Sequence, residues 1–192
     1  MERSTETSVI FAIDRVQLSS IQRASIVEAK VTELFKLLWE PLLRYLIGIV
    51  GNHAEAEELA QEAFLALYNA LRRGDAIRNC RAWVFRVAHN LAINSQEKRS
   101  HTEQVHPVVW ERIPAKSIDP SENAEERILV KERQSKVEAV LVFLSQQERR
   151  CLALRAEGLR FREIAEVLGL STSTVETFIE RGIRKIMKKL YD

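Results

Sequence analysis

The sequence predicts an all-α protein, and three features carry that expectation. Glycine and proline are scarce, at six and four in 192 residues, so few positions interrupt a helix. Proline-free runs are long. Apolar residues recur at i, i+3, i+4 spacing, the period of an amphipathic helix. Two small helical domains are expected, over 31–99 and 121–192, on a flexible linker over 100–120. Residues 1–30 form an N-terminal extension whose pattern is weak.

In that extension weak helical spacing from Val9 to Val16 and partial disorder are both open readings. From Val31 the pattern strengthens. Leu34, Phe35, Leu38, Leu42, Leu43, Leu46 and Ile47 share one stripe. Pro41 inside it predicts either a kink or a break between two helices. Gly48 and the Gly51-Asn52 pair are read as the terminators.

The next segment, "AEAEELAQEAFLALYNALRRGD", gives the cleanest helix. Ala56, Leu59, Ala60, Ala63, Phe64, Leu67, Ala70 and Leu71 make its apolar face. Glu55, Glu58 and Glu62 lie opposite, with Glu57 and Gln61 beside them. Arg72 and Arg73 suit the negative end of the helix dipole, and Gly74 can close the helix. After the loop "DAIRNC", a third helix has Val84, Val87, Ala88, Leu91 and Ala92 as its buried stripe. Trp83, beside Val84 and Val87, reads as core rather than as a stacking surface. From Arg72 to Arg99 there are seven basic residues and two acids, directly after a helix carrying four acids. Charge is therefore segregated between successive elements, although the whole chain carries only +2.

Residues 100–120 hold three of the four prolines and no helical period, as a linker should. Asp119-Pro120-Ser121-Glu122 then has the cap, proline and acid of a helix start. Ile128, Val137, Val140, Leu141 and Leu144 are apolar positions of the helix expected there. Ser145 and Glu148 form a capping box for the next helix, which Gly158 ends.

The sharpest motif lies between Phe161 and Glu180. Ala165 lets two helices approach, Gly169 can take the positive φ of a tight turn, and Ile164, Leu168, Leu170, Val175 and Phe178 hold the crossing angle. This is the pattern of a DNA-binding helix-turn-helix. Beyond it, Arg181, Arg184, Lys185, Lys188 and Lys189 lie off the apolar stripe and suit phosphate contacts. Glu176 and Glu180 are unusual on such a helix. Either Ser173 and Glu176 form a capping pair, or Glu176 accepts a hydrogen bond from a cytosine amino group. Glu180 can also pair with Arg184 one turn on.

Taken together, "AEAEELAQEAFLALYNAL…RAWVFRVAHNLAIN" resembles region 2 of bacterial RNA polymerase sigma factors of the sigma-70 family, extracytoplasmic-function (ECF) subfamily. "LSQQERRCLALRAEGLRFREIAEVLGLSTSTVETFIERGIRKI" resembles their region 4. The likeness covers about 31–99 and 121–190, in the correct order. It implies that the acidic helix, through Glu55, Glu58, Gln61 and Glu62 with Phe64 at a matching position, docks on the clamp coiled coil of core RNA polymerase. It implies that Arg78, Asn79, Arg81, Arg86, His89, Asn90 and Asn94 capture the non-template strand of the minus-ten promoter element, with a base out of the stack. Ser171, Thr172, Ser173, Thr174, Glu176, Thr177, Glu180, Arg181, Arg184 and Lys185 are the implied readers of duplex DNA at the minus-thirty-five element. An anti-sigma factor, which this family often has, is a further expected partner.

Other classes fit less well. The four histidines, His53, His89, His101 and His106, form no ligand cluster, and no glycine-rich phosphate loop is present. No enzyme and no cofactor is expected. Cys80 and Cys151 lack metal spacing and suggest a reducing, cytoplasmic setting. No apolar run reaches the ~20 residues of a membrane span. A stand-alone helix-turn-helix regulator binding duplex DNA is the alternative, but it leaves the N-terminal half unused. A helical adaptor without DNA function is the remaining rival.

Overall fold

The computed structural model describes the backbone of residues 3–102 and 142–191, and side chains over 24–99 and 142–189. Among the described residues the regular structure is entirely helical. The helices are α1 (Arg3–Val50), α2 (His53–Arg73), α3 (Cys80–Thr102), α4 (Gln146–Ala156), α5 (Phe161–Leu168) and α6 (Thr172–Tyr191). Of the linker expected over 100–120, residues 100–102 belong to α3; residues 103–120 and the helix expected to start at Pro120 fall outside the described residues.

Helix α1 differs from expectation at both ends. It starts at Arg3, so the weak spacing around Val9–Val16 lies in a helix rather than in a partly disordered segment. Pro41 sits inside it without a break. The carbonyl that Pro41 cannot serve belongs to Leu37, which is 63% exposed, so water can take the missing donor's place. Gly48 also lies within the helix. The terminator is Gly51, at φ +71°, whose N–H reaches the Ile47 carbonyl at 2.8 Å.

Helix α2 is built as its sequence indicates. Asn52 caps its start by accepting the Glu55 N–H at 3.1 Å. Gly74 closes it at φ +87°. Ala56, Ala60, Ala63, Phe64, Leu67 and Ala70 are buried. The small alanines let α1 come close. Phe64 stands against Phe35 at 5.0 Å between ring centroids, and Phe35 stacks on Trp39 at 4.7 Å.

The buried arc of α3 is wider than one stripe. Ala82, Val84, Phe85, Ala88, His89 and Ala92 are buried, while Val87 and Leu91 are half-buried. The reason is its position: α1, α2 and α5 all pack on it. Asn79 starts the helix, its Oδ1 accepting the Ala82 N–H at 3.1 Å.

In the C-terminal half the capping box of α4 is formed in both directions. Ser145 Oγ accepts the Glu148 N–H at 3.2 Å, and the Glu148 carboxylate accepts the Ser145 N–H at 2.7 Å. The same carboxylate takes Lys185 of α6 at 2.7 Å. Burial alone would raise the Glu148 carboxyl, but the hydrogen bonds from Lys185 and Ser145 outweigh it and hold the group below its ordinary value. Gly182 lets α6 lie close to α4, since a Cβ there would come within 2.7 Å of Leu152 Cδ1. Gly169 makes the turn between α5 and α6 at φ +65°. Ile164 and Val175 are fully buried, and Leu168, Leu170 and Phe178 are partly so. Val167 and Ile179 complete this core.

The two halves pack against one another. One apolar cluster runs from Leu38 and Leu42 in α1, through Val84 and Phe85 in α3, to Leu154 and Ile164 in α4 and α5. Both cysteines lie in it as free, buried thiols.

Candidate polymerase and DNA interfaces

On α2, Glu58, Gln61 and Glu62 are exposed together on one face. Leu65, one turn beyond Gln61 and Glu62, shares it and is 60% exposed. In the sequence Leu65 is the apolar residue of α2 that does not fit the buried stripe. An apolar side chain flanked by carboxylates is the usual make-up of a docking surface. Glu55 does not join them. Its Oε1 pairs with Arg99 at 2.8 Å and takes the Ser95 hydroxyl at 2.5 Å. It ties the start of α2 to the end of α3.

The residues expected to meet the minus-ten strand fall into two groups. Arg78, Arg86, Asn90 and Asn94 are exposed. Asn79, Arg81 and His89 are engaged inside the molecule. Asn79 caps α3 and also donates from Nδ2 to Glu163 Oε1 of α5 at 3.0 Å. Arg81 Nη2 donates to the Glu157 carbonyl at 2.5 Å.

His89 is 7% exposed, and its Nδ1 shares a 2.8 Å hydrogen bond with the buried Tyr45 hydroxyl of α1. Burial, with the charge of Arg150 from α4, lowers its pKa to about 4, so the ring is neutral at physiological pH. In this structure the ring is withdrawn from the surface that Arg86 and Asn90 share. Its polarity suggested a surface role; the third packing partner of α3 removes it from the surface. Trp83 is half-buried and packs on the core, and its edge joins Arg78, Asn79, Arg86 and Glu166 around a cleft of about 450 Å³ between the halves.

Helix α6 presents Thr172, Ser173, Glu176, Thr177, Glu180, Arg181 and Arg184 to solvent along one open surface. Its cap is Ser171, whose Oγ accepts the Thr174 N–H at 3.1 Å and contacts the Ser173 and Thr174 hydroxyls. The capping pair expected between Ser173 and Glu176 is therefore not formed. Ser173 lies inside the first turn, where its carbonyl accepts the Thr177 hydroxyl at 2.9 Å. Thr174 is half-buried, and Lys185 is exposed but paired with Glu148. Arg181 and Arg184 are the exposed cations nearest the reading surface.

Two family models match the chain, Sigma-70 region 2 over residues 34–102 and Sigma-70 region 4 over 135–186. Together they take in well over half of it, in the order of the two halves. The chain belongs to the sigma-70 family, among its ECF members. It is a promoter-specificity factor for RNA polymerase.

Similar sigma factors span nearly all of the chain. The ECF RNA polymerase sigma factor SigW of Bacillus subtilis is 26% identical over 173 residues, 85% of this chain and 89% of that protein. SigL of Mycobacterium tuberculosis, also an ECF sigma factor, is 26% identical over 182 residues, 93% of this chain and 96% of that protein. Among solved structures, CnrH in complex with the cytosolic domain of CnrY superposes with a TM-score of 0.59 at 22% identity, covering 89% of this chain and 94% of that one. RpoE in complex with the anti-sigma factor NepR, from Bartonella quintana, gives 0.58 at 20% identity, over 83% and 95%. These two likenesses concern the fold. Sigma factors are generally not enzymes. Among the described residues of this one, no group of three or more histidines, cysteines or acids could hold a metal. No described helix is long and apolar enough to cross a membrane.

Proposed function

We propose that this sigma factor engages polymerase and promoter through three separate surfaces. The α2 face of Glu58, Gln61, Glu62 and Leu65 docks on a basic surface of core polymerase. Arg78, Asn79, Arg81, Arg86, Asn90 and Asn94, on the loop before α3 and on α3 itself, take the melted minus-ten strand. The open surface of α6 enters the major groove of the minus-thirty-five element. The observation that carries this reading is the exposure pattern of α6, whose polar residues from Thr172 to Arg184 face solvent while Val175 and Ile179 anchor the helix.

With the cap supplied by Ser171, Glu176 is left exposed and open to a cytosine amino group, a pairing that reads sequence. The phosphate attraction then falls to Arg181 and Arg184. Replacing both by alanine is expected to weaken holoenzyme binding to promoter duplex about equally across promoter sequences and to reduce the log–log salt slope by about 2. Filter-binding titrations at several salt concentrations check this. An unchanged slope removes both residues from the phosphate contact. The stand-alone regulator reading is weaker, because it gives the exposed acidic face of α2 nothing to do. Both solved neighbours are held by a protein partner, and an anti-sigma partner acting in the cytoplasm fits this chain equally.

A further inference from the structure

The acids of the C-terminal half differ in what they hold. Glu148 takes Lys185 and the Ser145 N–H. Glu157, just past α4, grips Arg44 of α1 with two hydrogen bonds, Nε to Oε1 at 3.1 Å and Nη2 to Oε2 at 2.6 Å. Glu163 takes the Arg160 N–H and the Asn79 amide. Glu176 and Glu180 are different. Both are exposed on α6, and among the described residues neither has a hydrogen bond or an ion pair, so the pairing of Glu180 with Arg184 that the sequence allows is not formed. Thr177 is exposed beside them, but its hydroxyl donates to the Ser173 carbonyl at 2.9 Å. The hydroxyls of Ser171, Ser173 and Thr174 are engaged with one another at the start of the helix. The middle turn of the reading surface, Glu176, Thr177 and Glu180, therefore accepts hydrogen bonds and has none to give. Exposed cations return at Arg181 and Arg184.

We propose that Glu176 and Glu180 are a paired reader of exocyclic amino groups, which selects cytosine at two neighbouring positions of the minus-thirty-five element. The proposal rests on the assignment of α6 to that groove and extends it from one carboxylate to two. The helix-turn-helix makes this a DNA face; the acids decide which base edges it accepts. In the major groove the hydrogen-bond donors are cytosine N4 and adenine N6, while guanine O6 and N7 and thymine O4 present lone pairs that repel a carboxylate. Adenine also places N7 beside its amino group, so a carboxylate favours cytosine. The two side chains leave α6 about one turn apart, roughly 5.4 Å along its axis. Base pairs stack about 3.4 Å apart, so the two cytosines are expected next to one another or one pair apart, on either strand. The same carboxylates repel phosphates. This turn therefore adds selectivity, while Arg181 and Arg184 supply the attraction.

Two measurements on the holoenzyme test this. The first is selection from a random-sequence duplex pool, read by sequencing. The upstream element retained by the wild type should carry cytosine at two positions no more than about two base pairs apart. Glu176→Gln should shift one of them to adenine, because a glutamine amide donates to N7 and accepts from N6. Glu180→Gln should shift the other. Neither carboxylate holds another part of the described fold, so both variants should fold as the wild type does. The second is binding of the selected duplex with one cytosine at a time replaced by N4-methylcytosine, whose methyl group takes the place of the amino hydrogen in the major groove. The wild type should lose about 5- to 100-fold in affinity at each position. Glu176→Ala should be indifferent to the methyl group at its own position and remain sensitive at the other.

A selected upstream element without paired cytosines overturns the code. Glutamine variants that keep the wild-type element and only bind every duplex more tightly mean that the carboxylates repel phosphates and read nothing; this overturns the proposal and leaves α6 at its element. Equal sensitivity to the methyl groups in the wild type and in Glu176→Ala does the same. If the wild-type holoenzyme retains no upstream element, the assignment of α6 falls and the proposal with it.

Discussion

Reversing the charge of both Glu58 and Glu62 to lysine is expected to lower affinity for core polymerase by about 10- to 100-fold, mostly through slower association. Both side chains are exposed on α2, one turn apart, and neither holds another helix. The helix itself is secured elsewhere, by the Asn52 cap, the Gly74 terminator and the buried run from Ala56 to Ala70. Helix content and thermal melting should therefore stay as in the wild type. Leu65, next to them, supplies apolar area that charge reversal leaves in place, so residual binding should persist at low salt. Surface plasmon resonance against immobilised core polymerase, at two salt concentrations, measures both effects. Wild-type association in the double variant would remove α2 from the docking surface.

Acid should destabilise the protein well before its carboxylates titrate, and His89 is the reason. Its folded pKa of about 4 lies below the ordinary 6.5. The unfolded chain therefore takes up a proton that the folded chain refuses. Stability is unaffected by this group above pH 6.5 and falls as the pH drops from there to about 4, the loss reaching about 3 kcal/mol at the end of that range. Burial of the ring is the main cause of the refusal, and the Arg150 charge from α4 repels a second cation. Glu148 and Glu163, both held below their ordinary range, add a further loss at lower pH. Urea unfolding from pH 7.5 to 4.5 checks this. His89→Gln should flatten the upper part of the profile, and a wild-type profile level through this window would contradict the burial of a neutral ring.

Much of this architecture is local and was legible. The Ser145–Glu148 box, the glycine terminators at 74 and 169 and the alanine face of α2 each depend on residues within a few positions of one another. What escaped depends on distant contacts. His89 looks like a surface residue until α1 and α5 are known to share α3 with α2. Glu55 looks like a member of the acidic face until Arg99, 44 residues on, draws it away. The grip of Glu157 on Arg44 spans 113 residues and leaves no trace in either segment alone. Ser171 and Ser173 are chemically equal candidates for the cap of α6, and only the placement of the Gly169 turn decides between them. The residues of α6 proposed to read DNA are a different case: their exposure was predictable, but the bases they would meet depend on the promoter.

The assignment as a promoter-specificity subunit is tested most directly by transcription in vitro, with purified chain, core polymerase and sheared chromosomal DNA, followed by sequencing of RNA 5′ ends. Start sites should appear at discrete positions only when the chain is present, with a shared element upstream of each at the minus-ten and minus-thirty-five positions. RNA ends that are the same with and without the chain, despite its full occupancy of core polymerase, would contradict that function.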